Sequence, residues 1–368
     1  MFSKINIYLA KNFFISFIIV FAIFAALLII GDFVEQFRKS TGKDVPIKII
    51  FQLAVLNFLS LVEFIIPIVT FFAALLTFIL LIRNSEFLII SSVGISNMRI
   101  LIPAVVIYFI IGIFFVTIIN PLSAVFYDRY TELEYKYIAK SDKFASITKN
   151  GIWLKQFNSN KSISSVLYAQ QITNNGSTLL NFMLLEYDDK GVFQGRLDGK
   201  KANLNNGFWA MDDVQISPKY SQASFNVDHK YTTNIKISDI TNSLSSPESI
   251  SIWEMRKFIN FLEDLGYSAR DFKLYYYNLI IMPFFLSFLT ILAISLVLDL
   301  KQNSRITRTV IAAFVLIFVI YFLSNLLDAL GSSSQISPFI AKITTPLFVI
   351  IVSFVFFNYS YLKKKKLV

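Results

Sequence analysis

Apolar runs of about 20 residues recur six times along this chain: Asn12–Ile30, Ser60–Ile82, Ile100–Ile119, Tyr277–Leu298, Val310–Leu327 and Phe339–Tyr359. Each is long enough to cross the roughly 30 Å hydrocarbon core of a bilayer as a helix. Hydrocarbon offers a backbone N–H or C=O no partner, so a segment that crosses it must satisfy its own backbone, and a helix does so. The composition agrees. Of 368 residues, 55% are hydrophobic and 16% charged, and Phe alone contributes 39. One soluble core of this length does not bury so much apolar surface. Soluble enzyme, disordered protein and nucleic-acid-binding domain are excluded as the overall class.

The first run exceeds the 7–15 residues of a signal-peptide core and lacks a small-x-small cleavage pattern after it. It reads as a retained first span. The second run begins earlier, at Pro46, where proline suits a first helical turn. As one helix, Pro46–Ile82 would be roughly 54 Å long, more than a simple span needs. The expectation is a short helix on the outer side leading into a span near Ser60–Ile82. Pro121 follows the third run closely.

Between Ser123 and about Tyr276 the pattern changes to short alternating runs: Ile152–Lys155, Ser162–Ala169, Leu179–Tyr187, Val192–Leu197, Phe208–Ile216 and Ser224–Lys236. Asn174-Asn175-Gly176, Asp188-Asp189-Lys190-Gly191 and Asn205-Asn206-Gly207 separate some of them as turns. The spacing predicts a sandwich or jelly roll and not βαβ units. Ser249–Leu265 then reads as a helix with Ile252, Met255, Phe258, Ile259 and Leu262 on one face and Gly266 to end it. The fold class is a polytopic α-helical membrane protein with six transmembrane helices and an inserted all-β, jelly-roll-like domain. The expected boundaries are a first membrane block 1–122, the β-domain 123–248, a connecting helix and linker 249–276, and a second membrane block 277–368.

Charge orients the chain. The N-terminus, the loops 83–99 and 299–308 and the C-terminal tail hold 11 basic residues, among them Lys4, Arg83, Arg99, Arg308 and Lys363, against two acids, Glu86 and Asp299. The remainder holds 23 basic and 22 acidic residues. Nearly all of the formal net charge of +10 therefore lies on one side of the membrane. The positive-inside rule makes that side cytoplasmic. Both termini follow it, and the β-domain falls outside, in the periplasm of a cell with two membranes. The charge is a topology signal and calls for no nucleic-acid partner.

Catalytic constellations are missing. With no cysteine and a single His229, thiol chemistry and multi-histidine metal sites are impossible. Neither a phosphate-binding G-x-x-x-x-G-K-[ST] loop nor G-x-S-x-G occurs. His229, in Asp228-His229-Lys230, reads as a surface residue. The expectation is that the chain is not itself an enzyme and that it takes no cofactor or metal.

Three features can carry function. Asp32 to Lys39 ends the first span, where Arg and Lys can meet anionic lipid groups or simply anchor the helix end. The loop Arg83 to Arg99 is short and amphipathic, and reads either as a helix that docks in a partner's groove or as an interfacial connector. Asn57, Glu63, Asn325 and Asp328 lie in or near spans, where an embedded carboxylate is a functional candidate, ion coupling included.

These segments resemble the LptF/LptG permease family of the lipopolysaccharide exporter. Phe33-Val34-Glu35-Gln36-Phe37-Arg38-Lys39 is similar to the F-V-D-Q-L-K-K of the G-type subunit, although Asp32 stands where that motif has a basic residue. Arg83-Asn84-Ser85-Glu86, followed by Gly94 and Met98-Arg99, is similar to the family's R-S-E-L…S-G segment. Glu248-Ser249-Ile250-Ser251, then Arg270, Lys273-Leu274 and Pro283, resembles its link into the fourth span. The resemblance implies a pair of permeases, one F-type and one G-type, driven by a cytoplasmic ATPase dimer. It implies a coupling helix formed by Arg83, Ser85, Glu86, Gly94, Met98 and Arg99. Lipopolysaccharide would meet Glu35, Arg38 and Lys39, with Arg129 serving past the third span, where the motif's basic residues fall out of step with Asp128 and Thr131. A single-span periplasmic subunit of LptC type and a periplasmic bridge protein of LptA type would complete the set.

Overall fold

The computed structural model describes residues 4–92, 97–139, 145–148, 151–157, 163–173, 177–188, 190–205, 207–220, 222–233, 246–264, 268–297 and 306–365. They form two compact units. The first comprises the membrane helices up to Tyr130, the short stretch Glu248–Trp253, and everything from Arg270 onward. The second comprises residues 131–247 and 254–269.

The helical unit contains α1 (Lys4–Ser40), α2 (Ile47–Arg83), α3 (Glu86–Ser92), α4 (Asn97–Phe114) and α5 (Asn120–Glu134). After a short 3-10 turn at Pro247–Ser249, α6 (Ile252–Asp264) belongs mostly to the second unit, and α7 (Arg270–Val297), α8 (Ile306–Ser332) and α9 (Pro338–Lys365) complete the helical one. Six of these helical stretches are long and apolar enough to cross a membrane, α4 and α5 counting as one.

Two expectations change. The stretch after Pro46 is a single 37-residue helix and not a short helix followed by a span. Pro67 lies inside it without ending it, and a neighbouring helix supports that turn: the Tyr321 hydroxyl of α8 donates to the Phe64 carbonyl at 2.9 Å. The third span likewise does not stop before Pro121. A π-turn at Phe115–Ile119 sets the Asn120 N–H on the Phe115 carbonyl. Pro121 then occupies the first turn of α5, where a missing N–H costs little. The helix runs on to Glu134 and a second π-turn, Tyr135–Ala139, so the β-domain begins well after the expected Ser123.

Helices α2 and α7 are the most buried and form the middle of the bundle, while α1, α8 and α9 expose most of their spans. The core joins Phe13 and Phe17 of α1, Ile66, Phe71 and Phe78 of α2, Tyr108 of α4 and Leu286, Leu289 and Leu292 of α7. Tyr108 is fully buried, edge-on to Phe13, and donates to its carbonyl at 3.3 Å. Gly112 lets α4 approach α7: a Cβ there would lie 2.6 Å from the Pro283 Cα. Small residues allow such close backbone approach in membranes, where packing rather than water exclusion holds helices together.

The second unit holds a seven-stranded antiparallel sheet in sequential order. Its strands are β1 (Ala145–Thr148), β2 (Gly151–Phe157), β3 (Ile163–Thr173), β4 (Thr178–Tyr187), β5 (Phe193–Asn205), β6 (Phe208–Pro218) and β7 (Ser224–Thr232). The six expected strands correspond to β2–β7, and β1 is additional. The inserted domain is thus all-β and antiparallel as expected. The spacing predicts a sandwich or jelly roll, and the observed strand order is that of a meander in one sheet. Leu167, Leu184, Leu197, Trp209 and Met211 fill its core. The β4–β5 turn works as its residues predict: the Asp188 carboxylate accepts from the N–H groups of Lys190 and Val192, and Gly191 takes a φ of 75°. Those bonds, that of Val192 foremost, hold the Asp188 carboxyl below its usual range. Residues 174–176, Asp189 and Asn206 of the expected turns lie outside the described residues. In α6, Met255, Ile259 and Leu262 share the buried face, as the periodicity predicts, while Gly266 lies outside the described residues.

Replacing Gly112 by Val should push α4 off α7 and cost about 1–3 kcal/mol, the usual penalty for overpacking. Thermal unfolding of the detergent-solubilised protein should show a lowered midpoint. An unchanged midpoint would mean that this crossing does not hold the bundle.

Candidate functional site

Chain order gives the helical unit two ends. The α1 N-terminus, α3, the α7 C-terminus, the α8 N-terminus and the α9 C-terminus share one end. The α1–α2 turn, the entry to and exit from the β-domain, and the α8–α9 turn share the other.

At the α3 end, Arg83 closes α2 and is exposed. Asn84 and Ser85 turn the chain: the Asn84 N–H reaches the Leu80 carbonyl at 2.9 Å, and Ser85 adopts a positive φ of 63°. The Ser85 carbonyl then accepts the Ile89 N–H at 3.1 Å, which starts α3. Glu86 opens that helix. Its carboxylate accepts the Tyr8 hydroxyl of α1 at 2.8 Å and the Asn84 amide at 3.4 Å. Phe87 packs on Phe78 of α2, whereas Leu88 and Ile89 are 70% and 59% exposed. The short helix therefore presents an apolar edge outward while its acid ties it to α1. Arg99 is exposed near the start of α4. Gly94 and the Met98 side chain lie outside the described residues.

At the other end of α1, Arg38 grips Glu35 through two parallel hydrogen bonds of 2.7 and 2.9 Å. The guanidinium is 74% exposed. Lys39 is half-buried and Arg129 of α5 exposed. Between them runs a network that motif reading did not anticipate. Buried Gln36 donates to Asp32 and to the Tyr130 hydroxyl, each at 3.2 Å, and Asn57 of α2 donates to Asp32 at 3.0 Å. Asp32 is thus turned into the bundle.

A third cluster lines a cavity of about 380 Å³ among α2, α7, α8 and α9. Glu63 accepts from Tyr275 at 2.6 Å and from Asn120 at 3.2 Å. Asn120 in turn receives the Ile252 N–H at 2.8 Å. Across the cavity, Lys342 pairs with Asp328 at 2.8 Å. Sequence reading picked out Glu63 and Asp328 but not Asn120, Tyr275 or Lys342, their partners from distant segments. The signal for Lys342 was there: a lone lysine inside an apolar run needs an acid.

The LptF/LptG model of lipopolysaccharide export system permeases matches residues 7–359. The chain belongs to this family. No curated protein matches it. A lipopolysaccharide export permease of the LptF/LptG family is a multi-pass membrane protein, as the six spans here require. The family match covers the α1 end motif, the α3 segment and the cavity alike.

Glu248, half-buried beside the cavity, gives this permease a pH dependence. Burial first, and the Asp271 charge next, hold its carboxyl above the usual 4.5. The folded protein thus binds the proton more tightly than the unfolded chain, and stability falls as pH rises from 4.5 through the folded value. Glu248→Gln should raise the thermal midpoint at pH 8 relative to the parent and leave it nearly unchanged near pH 4.5. An equal shift at both values would rule out this origin.

Proposed function

We propose that this chain is one permease subunit, most like the G-type, of an ABC-type exporter that extracts lipopolysaccharide from the outer leaflet of the inner membrane and passes it to a periplasmic bridge. The family match over residues 7–359 carries the reading. In it both termini and α3 are cytoplasmic and the β-domain periplasmic, because the basic excess lies at the α3 end. The chain hydrolyses nothing itself. A separate ATPase dimer docks on α3, an F-type permease pairs with this chain to enclose the lipid path, a bridge protein of LptA type receives the lipid, and a single-span subunit of LptC type regulates the gate. The G-type assignment rests on Phe33 to Lys39.

The geometry suggests how such a subunit works. The exposed Leu88 and Ile89 offer the ATPase an apolar contact. Glu86, held by Tyr8, links that contact to α1. At the far end of the same helix, Arg38 can exchange Glu35 for a lipid phosphate, since an exposed ion pair is worth only about 0–1 kcal/mol. Removing acyl chains from a bilayer costs about 0.8 kcal/mol per CH₂, so a nucleotide-driven partner is needed.

Glu86→Lys should reduce co-purification of the ATPase several-fold in mild detergent. Recovery equal to the parent's would refute the coupling role. Depleting the protein should leave newly made lipopolysaccharide in the inner membrane on density-gradient fractionation. Undiminished arrival at the outer membrane would refute the export role.

A further inference from the structure

The cavity among α2, α7, α8 and α9 is a built site on this subunit alone. Three of its polar groups sit near helix ends: Tyr275 in the second turn of α7, Asp328 one turn before the end of α8, and Lys342 in the second turn of α9. That is the depth of lipid headgroups on the side where the β-domain is inserted. Its volume of about 380 Å³ falls within the roughly 300–1,000 Å³ of small-molecule sites. Met282, Phe285 and Ile320 give one wall an apolar surface. Thr345, 3% exposed, lines the cavity with a hydroxyl oxygen that has no hydrogen-bond partner among the described residues.

We propose that this cavity binds the headgroup of an amine-bearing zwitterionic phospholipid. The argument is one of charge exchange. Lys342 and Asp328 neutralise each other at 2.8 Å, with the lysine side chain only 13% exposed. A ligand that took one partner would leave the other as a poorly solvated lone charge, which is costly. An anionic lipid would strand Asp328, and a simple amine would strand Lys342. A headgroup carrying both charges replaces both halves: its phosphate takes the Lys342 ammonium, and its amine takes Asp328. The Thr345 hydroxyl supplies a donor to a phosphate or glycerol oxygen. Glu63 and Glu248, which also line the cavity, add two further carboxylates on the amine's side of the balance. The first carbons of an acyl chain then lie on Met282 and Phe285. The proposal rests on the cavity and does not require the export reading.

The test is native mass spectrometry of the purified full-length protein, delipidated in detergent and titrated with phosphatidylethanolamine or phosphatidylglycerol in mixed micelles. The expected result is a single retained phosphatidylethanolamine, bound about tenfold more tightly than phosphatidylglycerol. The double variant Lys342→Gln, Asp328→Asn should lose that preference. Ser324→Phe, which fills the cavity and keeps the ion pair, should lose the adduct itself, and each variant's melting curve reports whether it folds. Equal binding of the two lipids, no single-lipid adduct, or an undiminished adduct in folded Ser324→Phe would overturn the proposal.

Discussion

Hydrocarbon gives nothing to a hydrogen bond, and the rest of this structure follows from that. Backbone groups that cross the bilayer are satisfied within their own helix or, beside a proline such as Pro67, by a neighbouring one. Helices therefore run on wherever nothing forbids them. Pro46–Arg83 becomes one rod, and the third span absorbs Pro121 through a π-turn instead of ending. The same rule governs side chains. Glu63, Asp328 and Lys342 persist in this setting because Tyr275, Asn120 and the ion-pair partner meet them. Polar groups here act as ties between helices that apolar packing alone would leave free to slide.

Those ties are laid out by function. At one end Glu86 fastens the short helix α3 to α1. At the opposite end of α1, Gln36 and Asp32 fasten it to α2 and α5. The helix with the exposed Arg38–Glu35 pair is thus anchored at both ends while most of its flank is exposed. In the proposed exporter, that is the arrangement by which docking at α3 would reach a lipid contact site. Central α2 and α7 supply the rigid part, with Gly112 seated against Pro283.

Much of this was legible in the sequence. Run length gave the six spans, alternation and turn residues gave an inserted β-domain, and the 3.6-residue spacing gave the buried face of α6. Motifs with order and spacing gave the family. What was not legible depended on contacts between distant segments. No local pattern says that Gln36 meets Tyr130, that Asn120 meets Ile252, or that Lys342 meets Asp328 across two helices. The continuation of the third helix past Pro121 was not read either, because no local pattern announces a π-turn. Whether Glu35 pairs with Arg38 or Lys39, or leaves both for phosphate, was open in the sequence, and the geometry puts Arg38 on Glu35.

The central claim is that α3 faces the cytoplasm and the β-domain faces away from it. The chain has no cysteine, so single cysteines at Gly191, in the β4–β5 turn, and at Leu88, on α3, report directly. In intact spheroplasts a membrane-impermeant maleimide should label Gly191→Cys at once and Leu88→Cys only after lysis. Labelling in the opposite order, or of both positions before lysis, would contradict the account.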